Sequence, residues 1–363
     1  MKNVLLFGEF IPKSSTGIAY INSNLEKSLF QLGYEVKKIL EPRANDYYKN
    51  KKIISKNLNI NAFIKLFFIL IFSKKYDISF ITISMGNMGL FKTAIIQCLL
   101  SLRSRRCYLY VHRGDLNTNY NSSIFKRIMI SLILKNSFKV ILLSKIFKKT
   151  NIIKEISNKI IVLPNALSKE DCSLSKRLFN KKIDKKIRNT KKIKFLYSGN
   201  IQEEKGISLI IKAIDLINFR NKDYQIILDI YGMKFENINL EYDFINYKGK
   251  LETNKRLEQM SKYNCLILAS KNEGLPMILI ESLSIGLPFI TTKVGAVEDL
   301  LINNYPYVCE NNVDSIKDKI NRFCIDFIKN KSKLNKIIFQ NNNLFLENFE
   351  YSIFEKNIKE NIY

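Results

Sequence analysis

Two glutamates eight positions apart, Glu273 and Glu281, stand in the stretch NEGLPMILIESLSIGLPFITTKVGAVED from Asn272 to Asp299. A carboxylate accepts two hydrogen bonds from vicinal hydroxyls and offers nothing to an apolar ligand, so a placed pair suits a nucleotide sugar. The surrounding residues say what would place them. The apolar run CLILAS, Cys265 to Ser270, reads as a buried parallel strand; Pro276 suits the first turn of a helix, Gly286 suits its end, and LPFITT reads as the next strand. In that βαβ unit Glu273 falls in the loop before a helix amino terminus, and Glu281 lies within the helix near its ligand-facing end. Both then face the crevice above the strand ends. An incidental pair on a solvated helix is the alternative, since the spacing alone is common; the flanking Gly-Leu-Pro and Gly-Leu-Pro-Phe favour a site.

The arrangement resembles the Glu-x7-Glu signature of family 4 glycosyltransferases (glycosyl transferases group 1), retaining enzymes of the GT-B fold that move a sugar from a nucleotide diphosphate. The resemblance implies that Glu273 hydrogen-bonds hydroxyls of the donor sugar and that Glu281 holds the ribose. It also implies that amides of Gly274, Leu275 and Met277, around Pro276, line the sugar and diphosphate. LYSGNIQEEKG, Leu196 to Gly206, resembles the family segment in which a glycine, here Gly199, ends the first strand of the donor domain. A lysine-glycine pair then opens a helix, so Lys205 is expected on the diphosphate, where its ammonium and the helix dipole act together. The family usually has an arginine after that glycine and this chain has Asn200. Loss of a guanidinium there costs on the order of 1.5 to 3 kcal/mol of charge-assisted bonding unless another cation substitutes.

In the first half, IPKSSTG matches the position of the family's glycine-rich loop. Gly17 fits that loop, Thr16 replaces the usual preceding glycine, and hydroxyls of Ser15 and Thr16 are expected in place of bare backbone. His112 is the only histidine and follows the strand CYLYV, where family members carry a histidine that reaches the transferred sugar. Glu273, His112 and Lys205 are therefore the expected catalytic residues. A lone histidine is otherwise more often ordinary structure, and its place at a strand's carboxyl end is what favours a ligand role. Glu298 or Asp299 in GAVED is expected to cap a helix. No Cys cluster and no Asp-x-Asp is present, so cations and backbone dipoles are expected to neutralise the diphosphate without a metal ion or other cofactor.

The 363 residues, nearly half of them apolar, are enough for two cores. No apolar run approaches the roughly 18 to 20 residues that span a bilayer, and the scattered cysteines form no Cys-x-x-Cys pair, so a reduced, cytoplasmic protein is expected. The net charge of +26 is uneven: residues 1–168 hold 27 Lys+Arg against 8 Asp+Glu, residues 169–192 hold 10 against 3, and residues 193–363 hold 22 against 22. The basic first half needs an anionic partner. No acidic residue occurs between Leu116 and Lys154, where Lys and Arg interleave with large apolar side chains. That segment, and the apolar stretch with its lysines in residues 61–75, suit a membrane-surface helix; core helices with lysines turned to water are the alternative. Nucleic acid is disfavoured, because no aromatic-basic recognition motif accompanies the charge.

The runs VLLFGEF, EVKKIL, DISFITIS, CYLYVH, KVILLS and KIIVLP, then KFLYSGN, YQIILDIYG, FINYKG, CLILAS and LPFITT, predict two Rossmann-like doubly wound α/β domains. Helices are expected over 18–32, 206–218 and 276–286. The expected boundaries are an acceptor-binding domain at 1–168, a polar linker with a short helix at most at 169–192, a donor-binding domain at 193–342, and residues 343–363, whose last helix, about 343–361, the resemblance implies crosses back onto the first domain. With the resemblance, this is a GT-B fold whose domains face a central cleft. The expected activity is a metal-independent hexosyltransferase taking a nucleotide sugar, a UDP-sugar first, to a glycan or polyprenyl-diphosphate-linked acceptor in bacterial surface polysaccharide synthesis. It would sit peripherally on the anionic inner face of the cytoplasmic membrane. A non-catalytic sugar-nucleotide-binding scaffold derived from the same fold is the alternative, motivated by Thr16, Asn200 and Ala166 (for the glycine of the family's Pro-Asn-Gly turn at Pro164-Asn165).

Overall fold

The computed structural model describes residues 2–11, 16–41, 75–184, 191–221 and 223–362. Two compact units result, Met1–Leu163 with Glu355–Tyr363, and Pro164–Phe354. In the first unit β1 (Asn3–Gly8), β2 (Glu35–Leu40), β3 (Tyr76–Thr82), β4 (Ser104–Val111), β5 (Lys139–Leu142) and β6 (Ile160–Val162) pair in parallel. Their order is β2-β1-β3-β4-β5-β6. The central strands are covered on both faces, which is why they read as unbroken apolar runs such as Val4-Leu5-Leu6-Phe7, all buried. The edge strand β2 is largely exposed and correspondingly charged.

Helix Gly17–Gln31 follows β1 and buries Ala19, Tyr20, Ile21, Leu25 and Leu29 at helical spacing. Helices Asn87–Arg103 and Ile124–Asn136 supply Leu90, Ile96 and Leu100, and Ile130, Ile133 and Leu134, to the core of this unit. The second of them is thus a core helix on one side. Its other side exposes Ile124, Phe125, Ile128 and Leu132. Among the described residues no helix is long and apolar enough to cross a membrane. Ser15 and residues 61–74, expected to contribute to a loop and a membrane face, lie outside the described residues.

In the second unit β7 (Lys192–Ser198), β8 (Gln225–Tyr231), β9 (Ile245–Tyr247), β10 (Cys265–Leu268), β11 (Phe289–Thr292) and β12 (Val308–Cys309) form another parallel sheet, in the order β12-β11-β10-β7-β8-β9. The chain begins in the middle at β7, runs out to β9, then returns to β10 on the other side of β7. Strand order therefore reverses between β7 and β10, where Phe195 pairs with Cys265 and Leu196 with Leu266. Loops leaving the carboxyl ends of strands at such a reversal diverge and leave a crevice for a ligand.

Two expectations about elements are corrected. Residues 169–192 hold not a short helix at most but the 16-residue helix Lys169–Asp184, part of the second unit. Its charge disguises an inner face: Ser175 and Phe179 are buried, and the Phe179 ring meets Phe339 edge-on at 5.6 Å. Ser168 accepts the Asp171 N–H at 3.1 Å, and Glu170 and Asp171 in the first turn complement the helix dipole. Nor is the carboxyl end one helix over about 343–361; helix Lys331–Asn348 stops at Phe349, whose backbone leaves helical geometry, and helix Tyr351–Ile362 starts afresh.

Candidate functional site

The second unit gathers its charged candidates at the reversal between β7 and β10. The turn after β7 carries Gly199 and Asn200, and the Tyr197 hydroxyl, reaching forward from the strand, donates to the Asn200 carbonyl at 2.7 Å. A 3-10 turn, Glu203–Lys205, then delivers Lys205 to the start of helix Ile207–Arg220. Gly206 between them has φ +71°, and a Cβ there would lie 2.1 Å from the Ala269 carbonyl oxygen. Only glycine lets this turn come so close to the end of β10. The Lys271 N–H donates to the Glu204 carbonyl at 2.8 Å, tying the two loops together.

The consequence is a pairing of residues 68 apart in sequence: Lys205 Nζ lies 2.7 Å from Glu273 Oε1. Ser270 Oγ donates to the same oxygen at 2.7 Å, and Thr292 Oγ1 fixes Ser270 by donating to its carbonyl at 2.6 Å. Beyond Glu273 the chain runs through Gly274, Leu275 and Pro276 into helix Met277–Ser284. Pro276 is the N-cap residue rather than the first helical one, and its carbonyl accepts the Leu279 N–H. The loop's carbonyls are held by their own partners, Gly274 by the Ala296 N–H at 2.9 Å and Leu275 by Asn165 Nδ2 at 2.7 Å. Among the described residues no protein acceptor takes the N–H groups of Gly274, Leu275 or Met277. Free N–H groups at a helix start are chemistry that can accept an anion.

Gly295 closes this loop from behind. At φ +57°, a Cβ on it would stand 1.8 Å from the Glu273 carbonyl oxygen. The expected cap in GAVED is different: Glu298 pairs with Lys293 at 2.9 Å, and the segment Gly295–Leu300 is itself a kinked 3-10 turn.

Glu281 sits one and a half turns into the helix and is only 2 % exposed. Burial pushes its carboxyl up to about 7, against the pull of the Arg256 guanidinium and with a further push from Asp171. Arg256 Nε is 2.9 Å from Glu281 Oε1, and Arg256 Nη2 is 3.8 Å from Asp171 Oδ2. Sequence reading did not single out Arg256 or Ser270. Ser270 was within reach, as the polar residue ending a buried strand three positions before Glu273. Arg256 had no signal, because only the folded sheet brings it to Glu281.

The first unit holds the other two expected site residues, on the carboxyl edge of its own sheet. Gly17 opens the helix after β1, and His112 follows β4, buried, with its ring stacked on Tyr110 at 4.0 Å between centroids. The expectation that Thr16 offers its hydroxyl to a ligand is corrected. Thr16 is the helix N-cap: its Oγ1 accepts the Ala19 N–H at 3.2 Å and donates to Glu9 Oε2 at 2.7 Å. Glu9, buried directly after β1, was missed although a carboxylate at the end of an apolar strand is a readable signal; Asn22 Nδ2 also donates to its carbonyl at 2.9 Å. Among the described residues no group of three or more His, Cys, Asp or Glu side chains is placed to hold a metal ion.

Residues 179–340 match the family model described as glycosyl transferases group 1. Across the whole chain, the structure superposes on Anabaena HepE solved with UDP and glucose, at TM-score 0.65 and 13 % identity, covering 100 % of this chain and 99 % of that one. The match to sucrose-phosphate synthase of Thermosynechococcus elongatus has TM-score 0.71 at 12 % identity, covering 99 % and 98 %. The fold is GT-B. Among curated sequences, an uncharacterized glycosyltransferase of Methanocaldococcus jannaschii is 26 % identical over 236 residues, which is 63 % of this chain and 60 % of that protein. The GPI3 subunit of Saccharomyces cerevisiae phosphatidylinositol N-acetylglucosaminyltransferase is 25 % identical over 223 residues, 59 % of this chain and 48 % of the subunit. The chain thus spans about half to three-fifths of the length of these curated relatives.

Proposed function

We propose that this chain is a retaining glycosyltransferase that binds a nucleotide diphosphate sugar in its second unit. The carrying observation is the cluster at the β7–β10 reversal: Lys205 paired with Glu273 at 2.7 Å, beside free N–H groups of Gly274, Leu275 and Met277. Lys205 and those N–H groups receive the diphosphate, Glu273 accepts from the sugar hydroxyls, and Glu281 accepts from the ribose. Gly199 and Asn200 border the phosphates from the β7 side; Gly17 and His112 are the first unit's own candidates for a substrate contact. The matched family model and the UDP found with HepE support a nucleotide-sugar donor, a UDP-sugar first.

In this reading the bond from the anomeric carbon to the phosphate oxygen breaks heterolytically, and the acceptor hydroxyl oxygen bonds to that carbon on the same face. The departing phosphate takes the acceptor's proton. Lys205 and the helix N–H groups, fixed before the donor arrives, stabilise the charge growing on the leaving group, so the reaction runs without a metal ion. The acceptor is a hexose-accepting glycan or lipid-linked diphosphate of bacterial surface polysaccharide, met by the basic first unit. The outer side of helix Ile124–Asn136, with Ile124, Ile128 and Leu132 exposed beside Lys126 and Arg127, suits an anionic lipid surface on the inner side of the cytoplasmic membrane. A non-catalytic sugar-nucleotide-binding scaffold remains the second reading, favoured by Asn200 where a guanidinium is expected.

Slow hydrolysis and transfer from a panel of UDP-, GDP- and ADP-sugars, with EDTA present, tests both. Turnover of one selective donor that falls in Glu273→Ala supports the transferase. Binding without turnover supports the scaffold. No binding, with no co-sedimentation on anionic liposomes at low salt, rejects the donor and membrane parts together.

A further inference from the structure

Arg256 is a residue to which the Glu-x7-Glu pattern assigns nothing. It opens helix Arg256–Met260, on the loop leaving β9, and sits among helices Lys169–Asp184 and Met277–Ser284. Its side chain is 17 % exposed, against 3 % for Glu281 and 25 % for Asp171, so the three charges meet largely out of water. Beyond burial, Arg256 and Asp171 are the charges that act on Glu281. Ser284 on its own helix donates its hydroxyl to the Glu281 carbonyl, and Asn342, from the packed helix Lys331–Asn348, donates to the Ser284 carbonyl. On the turn Gly295–Leu300, Glu298 is paired with Lys293; Glu170, beside Asp171, is exposed.

A carboxylate taken out of water protonates unless a cation compensates it, and a protonated carboxyl loses half its capacity to accept from a vicinal diol. Arginine suits the task, because it stays charged and its planar fork serves two carboxylates at once. We infer that Arg256 is a positioning residue for donor binding, its charge drawing the Glu281 carboxyl toward the ionised form while Asp171 steadies the guanidinium from its other side. The inference rests on the reading of Glu281 as the ribose-binding group. Nucleotide affinity then follows the charge balance of this trio. Removing the cation weakens the site below the pH at which Glu281 ionises unaided, and removing Asp171 lets Glu281 ionise at lower pH.

The test is calorimetric titration of UDP, GDP and ADP in turn into the full chain, from about pH 5.5 to about pH 8.5, reading each variant as a ratio to wild type so that the nucleotide's own ionisation cancels. For Arg256→Gln the expected result is a loss of about tenfold at neutral pH that recovers on the alkaline side, a shift of about one pH unit or more. Asp171→Asn is expected to shift the opposite way, gaining relative affinity on the acid side. Arg256→Lys, which keeps the charge, is expected to track the wild-type profile. An arginine that merely braced the fold would lower affinity equally at every pH, and flat ratios for Arg256→Gln and Asp171→Asn overturn the inference. Should Arg256→Gln fail to fold, Asp171→Asn decides alone, since it strands no buried charge. Binding that is lost in Glu281→Ala but flat in these ratios overturns this inference and leaves the donor reading standing. Wild type that binds none of the three nucleotides, or a Glu281→Ala variant that binds as well, overturns both.

Discussion

Among the described residues the two units carry parallel sheets of six strands each, and the carboxyl edges of those sheets are built differently. In the second unit the edge is over-determined: two loops approach within a Cβ's width at Gly206 and Gly295, and they converge a lysine, a serine and a glutamate on one point. In the first unit part of the edge is taken up by structure. Thr16 caps a helix and bonds Glu9, and His112 stacks on Tyr110. The charge divides the same way, with +19 in residues 1–168 and none net in residues 193–363. An edge built as in the second unit would suit a defined small anion, and the positive charge of the first half a larger, less specified partner.

Breaking the contrast is easiest at Gly295. Alanine there meets the Glu273 carbonyl at positive φ, and the expected cost is about 2–5 kcal/mol from left-handed strain plus overpacking, read as a fall in Tm together with loss of nucleotide binding. Next is the pH dependence of stability. Glu281 is held at about 7 in the folded chain against 4.5 ordinarily, so the folded state keeps a proton that the unfolded state releases across that window. The Glu281 contribution to unfolding free energy therefore falls as pH rises from about 4.5 to about 7 and levels off above, by about 3 kcal/mol at most, whereas burial pulls the Lys182 ammonium down to about 7 and adds stability only as pH rises above that. Denaturant melts at both ends of the window measure it, and Glu281→Gln is expected to flatten the slope.

Glu273→Ala removes the partner of Lys205 and the acceptor for sugar hydroxyls; the expected loss in kcat/KM is roughly 10- to 150-fold, from about 1.5–3 kcal/mol of charge-assisted bonding. Binding of UDP, which lacks the transferred sugar that Glu273 would contact, should change much less than turnover of the UDP-sugar. The smallest effect belongs to the first unit. Thr16→Ala deletes an N-cap and is expected to cost about 1 kcal/mol in a chemical melt while leaving nucleotide affinity unchanged. A large loss of nucleotide affinity in that variant would erase the distinction between the two edges.

Where burial and backbone geometry leave a mark on residue type, the sequence was readable. β10 and β11 are wholly buried and so appear as CLIL and FITT; Pro276 and Gly286 punctuate the helix between them. The Glu273–Lys205 meeting was foreseeable only as two separate roles, because their distance depends on the order of strands. Arg256 shows the limit more sharply: its partners Asp171 and Glu281 lie 85 and 25 residues away, and no periodicity links them. Helix Lys169–Asp184 was hidden for another reason. Ten of the residues in 169–192 are basic, and that charge outweighed the apolar positions of its inner face. Thr16 was readable after all, as a threonine immediately before a helical run.

The central claim is that the loops after β7 and β10 receive a nucleotide diphosphate. Hydrogen exchange of the intact chain with and without UDP tests it at the atoms concerned, since the amides proposed to bind are those of Gly274, Leu275 and Met277. Slowed exchange in peptides covering 199–207 and 272–281, abolished by Lys205→Ala, is the predicted result. Protection confined to other segments, or protection of these that survives Lys205→Ala undiminished, would contradict it.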